Sequence, residues 1–139
     1  MPGAAITPRV QVMVICSEVI ASEIESDVFT LEGVRQYLVS PTCPCVFRPY
    51  LFLVLSNARR GVFHGVAKIQ DEGTNRVIRY GKFDVTFERD RERRPMYINL
   101  GACRFPEFGE YNFQVWFSAQ GRDEVLKGEQ VFEIVPALE

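Results

Sequence analysis

The chain has 139 residues, 47% of them hydrophobic and 12% aromatic, with 16 basic and 18 acidic side chains and a net charge of −2. This length suits one domain that buries roughly two-thirds of its unfolded surface, and this composition excludes a disordered or low-complexity segment. The balanced charge supplies no field for nucleic acid or an anionic membrane, and no apolar run approaches the ~18 residues of a spanning helix, so neither is an expected partner.

The opening MPGAAITPRVQVMVIC has no basic leader, and Thr7, Pro8, Arg9 and Gln11 interrupt its apolar run. It does not read as a secretory signal, so a cytoplasmic location is expected. There Cys16, Cys43, Cys45 and Cys103 stay reduced, whereas an oxidising compartment would allow three pairings that sequence cannot choose among.

Apolar residues then recur with period two, or in short runs rich in β-branched and aromatic residues, and helical spacing is nowhere sustained. Eight strands are predicted, over about 9–20, 26–39, 49–57, 62–71, 76–88, 96–103, 110–119 and 125–135. Turn-forming clusters fall at 57–61, 71–75, 106–109 and 120–123. Such short, closely spaced strands predict an all-β, antiparallel fold, a sandwich or barrel in one domain with its core over about 9–135.

The first strand, VQVMVIC, is apolar on both faces, which predicts a place in mid-sheet or under a cover. In 41-PTCPCVFRPY-50, zinc would need a wider cysteine spacing and two further ligands, and only Cys16, Cys103 and His64 remain to supply them. Pro41 and Pro44 favour extended backbone, which turns the two thiols to opposite sides. The stretch reads as a rigid connecting loop with one buried cysteine, and a redox or metal role is the alternative. His64, the single histidine, follows a turn on the side of Val62 and Val66. Any Ser-His-Asp device would have to use it, but a structural imidazole, hydrogen-bonded or partly exposed, is the expected role.

Farther on, KFDVTFE places Phe83, Val85 and Phe87 on one face and Lys82, Asp84, Thr86 and Glu88 on the other. Asp71 with Glu72, like Glu23 with Glu25, lacks a converging cleft or a calcium-loop pattern and reads as a solvated turn. The run 89-RDRERR-94 mixes signs without interleaved aromatics, as a solvated loop or strand-edge guard does. In YNFQVWFSA, Tyr111, Phe113, Val115 and Phe117 form the core face, leaving Trp116 outside beside Asn112, Gln114 and Ser118. An outward Trp116 marks an interface, or else a loop such as the one around Pro41–Pro49 covers it; a register slip of one residue would put it in the core.

The segment 106-PEFGEYNF-113 carries Pro106, Gly109 and Tyr111 at a strand start, the pattern of the tyrosine corner of immunoglobulin-like sandwiches, with Phe113 where their second core cysteine stands. With it, the strand ending Cys16-Ser17-Glu18, then 29-FTLEGV-34, then 49-PYLFLV-54 followed by Gly61, His64 and 71-DEG-73, occur in an order that resembles an uncharacterised family of small bacterial proteins. The resemblance spans roughly 10–135, departs at the CPC loop and at 89-RDRERR-94, and implies an immunoglobulin-like β-sandwich without catalytic residues.

No catalytic set, metal site or cofactor is therefore expected. The expected function is a non-enzymatic protein-interaction or structural module that binds a protein partner or itself through Trp116, Gln114, Asn112 and Ser118. The alternative is a small-molecule or glycan-binding β-sandwich using Tyr37, Tyr50, Tyr80 and Tyr97.

Overall fold

A computed structural model describes residues 7–118 and 123–138. The N-terminal hexapeptide and most of the turn expected at 120–123 lie outside the described residues. Among the described residues there are twelve strands and no helix: β1 (Arg9–Cys16), β2 (Glu18–Ala21), β3 (Phe29–Glu32), β4 (Tyr37–Ser40), β5 (Cys45–Phe47), β6 (Tyr50–Ser56), β7 (Gly61–Asp71), β8 (Val77–Phe87), β9 (Arg93–Asn99), β10 (Cys103–Phe105), β11 (Gly109–Ser118) and β12 (Glu124–Pro136).

The count exceeds the eight expected because apolar pattern does not register kinks. The first predicted strand breaks at Ser17, whose N–H turns to the carbonyls of Glu32 (2.9 Å) and Gly33 (3.2 Å). The second breaks at Gly33, where φ is 63° and an added Cβ would lie 2.4 Å from Ser17 Oγ. That conformation and that crowding leave room only for glycine. The sixth divides at Gly101 into β9 and β10, and three-residue β5 pairs with β10 inside what sequence reads as a loop.

The long strands form a five-stranded sheet, β4-β12-β11-β7-β8, and a three-stranded sheet, β1-β6-β9. Every pairing is antiparallel except the parallel clasp of β4 on β12. The sheets curl into a half-barrel. One core fills it: Ile15, Leu51, Leu53, Leu55 and Ile98 from the smaller sheet meet Ala67, Ile69, Val85, Phe87, Phe113, Val115 and Phe117 from the larger. Alternation carries this directly, since Leu51, Leu53 and Leu55 on β6 are wholly buried while their neighbours are not.

β1 is a sheet edge rather than a mid-sheet strand, and Val12 is exposed. Its second apolar face is explained by β12, which it approaches so closely that a Cβ on Gly128 would sit 2.7 Å from Met13 Sδ. No helix of the described residues is long and apolar enough to cross a membrane.

Candidate functional site

β11 lies in the interior of the five-stranded sheet, between β12 and β7. Its odd residues enter the core; its even residues look the other way, as predicted from alternation, and the register organises that outer face into rows across four strands. One row reads Glu124, Ser118, His64, Asp84; the next Leu126, Trp116, Val66, Lys82; the next Glu129, Gln114, Lys68, Tyr80; the last Val131, Asn112, Gln70, Val77.

The exposure expected of the β11 residues is corrected by these rows. Asn112 and Gln114 are buried, at 2% and 4% exposure, and Trp116 and Ser118 are only half-exposed. Neighbouring strands supply the cover. Asn112 Nδ2 donates to Glu129 Oε2 (3.0 Å), Trp116 Nε1 donates to Gln114 Oε1 (2.9 Å), and the Lys68 ammonium sits 4.7 Å from the Trp116 ring centroid. A cation over an indole face is attractive, and the lysine stem hides apolar surface beneath it. The loop around Pro41–Pro49 packs elsewhere, with Cys43, Cys45 and Phe47 against the core and Phe47 beside Phe105.

What stands open is the adjoining part of the face over β7 and β8, a groove of about 850 Å³. The polar row closes one end, where His64 Nδ1 lies 2.6 Å from Asp84 Oδ1 with both side chains well exposed. His64 is thus both hydrogen-bonded and exposed, within the expectation. Along the groove stand Lys68, Arg79, Tyr80 and Lys82. Lys68 reaches Glu124 at 3.8 Å and Arg79 Nε donates to the Leu100 carbonyl, while Lys82 has no carboxylate within ion-pair distance among the described residues. Tyr80 is 65% exposed. Alternation already placed Lys82 and Asp84 on the outer face, and the β7–β8 hairpin sets them beside Val66 and His64; only Ser118 and Glu124 reach the groove from strands distant in sequence.

The four tyrosines proposed as a ligand platform do not converge. Tyr50 and Tyr97 pack together at 5.8 Å on the outer face of the smaller sheet, where Phe29 of β3 joins Phe52 and Tyr97; Tyr37 is on β4 and Tyr80 is in the groove.

At the start of β11, buried Tyr111 donates its hydroxyl to the Glu107 carbonyl (2.6 Å) and accepts from the Glu107 N–H (3.3 Å). Phe105 meets the Tyr111 ring edge-on at 4.8 Å, Gly109 has φ 138°, Phe113 is fully buried and Pro106 lies exposed just upstream. Burial pushes the phenol pKa up, partly offset by the Glu107 backbone hydrogen bond.

All four cysteines are free thiols. The sulfurs of Cys43 and Cys45 are 3.8 Å apart, not on opposite sides, because β5 begins only at Cys45, so strand alternation does not govern the pair. Sequence also missed Glu92, which is read there as part of a solvated run. Its side chain is 9% exposed and faces Arg89 (3.7 Å) and Arg94 (4.0 Å), while the neighbouring Asp90 accepts the Arg60 N–H at 2.8 Å. Among the described residues no group of three or more His, Cys, Asp or Glu is placed to hold a metal ion. No protein-family model matches the chain, and no curated protein is significantly similar to it.

Proposed function

We propose that the chain is a non-enzymatic binding module that engages a protein partner, or a second copy of itself, through the groove over β7 and β8 rather than through Trp116. The observation that carries this reading is Lys68 and Lys82 flanking exposed Tyr80, with Lys82 free of any carboxylate partner among the described residues. Such a surface suits an extended segment bearing carboxylates, with Tyr80 as the aromatic contact.

The test is affinity capture from reducing lysate with wild type, a Tyr80→Ala/Lys82→Glu variant, and Tyr97→Ala as a control on the opposite sheet. Proteins lost from the groove variant, kept by the control and weakened by salt are expected; equal recovery by all three overturns the reading. The groove's volume also lies within the range of small-molecule sites, which favours an acidic small ligand as the second reading. Thermal stabilisation by carboxylated or phosphorylated compounds, absent in the groove variant, distinguishes it.

We also infer that the architecture is immunoglobulin-like, in keeping with the family resemblance. Support comes from the order β12-β11-β7-β8 in one layer against β1-β6-β9 in the other, and from the Tyr111 corner at the start of β11.

A further inference from the structure

Cys43 and Cys45 flank Pro44 at the entry to β5, half-buried, with their sulfurs in contact at 3.8 Å. Cys16 and Cys103 differ from them in being buried, at 2% and 1% exposure. Bringing the paired sulfurs to the ~2 Å of a disulfide asks for a displacement of under about 2 Å, within reach of side-chain rotation. A half-exposed pair already in van der Waals contact can be reached by a small oxidant, and its second sulfur is held where it can complete the reaction.

We propose that Cys43 and Cys45 are a redox-active dithiol that closes reversibly to a disulfide by exchange with a low-molecular-weight disulfide of the glutathione class. The Cys45 thiol loses its proton to solvent and attacks one sulfur of the small disulfide. A Cys45–glutathione bond forms, and the first glutathione leaves as thiolate and is protonated. The Cys43 thiol, losing its proton in turn, attacks the Cys45 sulfur. The Cys43–Cys45 bond forms and the second glutathione leaves. Two protein thiols are oxidised and one disulfide is reduced to two thiols.

The order of attack follows from the surroundings. Burial, then the Cys45 thiol and Glu107, pushes the Cys43 pKa up to about 11. Burial thus holds Cys43 back as the first nucleophile, and its sulfur, 3.8 Å from that of Cys45, is placed to resolve the mixed disulfide.

The test equilibrates the reduced full chain with glutathione disulfide over a series of disulfide-to-thiol ratios, then alkylates, digests with trypsin and weighs the peptides. Arg35 and Arg59 bound one peptide carrying both cysteines, since Pro49 blocks cleavage after Arg48, while Cys16 and Cys103 fall on others. The expected product is the 36–59 peptide lighter by two hydrogens and free of alkyl groups, with Cys16 and Cys103 alkylated only after denaturation. Cys43→Ser should instead accumulate a glutathione adduct at Cys45, with its strand dichroism unchanged. A wild-type peptide that stays reduced at every ratio, or that collects adducts as readily as Cys43→Ser, overturns the proposal.

Discussion

Both faces of β11 bury their central residues, by different means. On the inner face Phe113, Val115 and Phe117 meet apolar side chains from the opposite sheet, and burial follows from the hydrophobic effect alone. On the outer face Asn112 and Gln114 are covered by residues of their own sheet, and hydrogen bonds to Glu129 and from Trp116 offset part of their desolvation, with Asn112 Oδ1 left without a partner among the described residues. Low exposure is therefore no guide to what a residue contributes: the inner face gains from area, the outer from pairing.

The largest expected effect breaks the inner face. Phe113→Ala should cost about 4 kcal/mol in urea unfolding, since a fully buried ring is lost and a cavity remains. If Asn112→Ala cost as much, the contrast would fail.

Next in size is an alkaline loss of stability that belongs to the interior. Burial pushes the Cys103 pKa from 9.0 to about 11 and raises Cys16 as well. The unfolded chain releases these protons first, so their contribution is fully present below about pH 9 and lost as pH rises toward 11. For Cys103 the loss is on the order of 2 kcal/mol. Melting temperature followed across that range should fall less steeply in Cys103→Ala.

Tyr111→Phe keeps the ring but orphans the Glu107 backbone groups, and about 1–2 kcal/mol should be lost. Trp116→Phe, which removes the donor to buried Gln114, should cost about 1 kcal/mol and sharpens the contrast, because a purely apolar cover would tolerate the swap. Smallest is His64→Ala, expected to change stability by under about 0.5 kcal/mol because its pair with Asp84 is solvent-exposed.

Sequence carried the all-β class and the faces of β8 and β11, because alternation is a local property of the chain. It could not carry the kinks at Ser17, Gly33 and Gly101, where the apolar pattern runs on through a change in backbone direction. Nor could it carry the cover over Asn112, Gln114 and Trp116, which depends on Lys68, Leu126 and Glu129 arriving from other strands. The Cys43–Cys45 contact was hidden for a related reason, since an extended reading of the proline-rich loop separates sulfurs that the structure brings together.

The parallel clasp of β4 on β12 bears on how the molecule is made. β12 is last in chain order yet sits inside its sheet, between β4 and β11. Until its residues are available, β11 presents a bare edge carrying Phe113, Val115 and Phe117 toward a core that lacks Phe132 and Ile134. Assembly must wait on a contact between segments far apart in sequence, which slows folding and leaves an incomplete sheet open to mispairing. During synthesis the emerging chain therefore passes through a stage in which β11 has been made and its partner β12 has not.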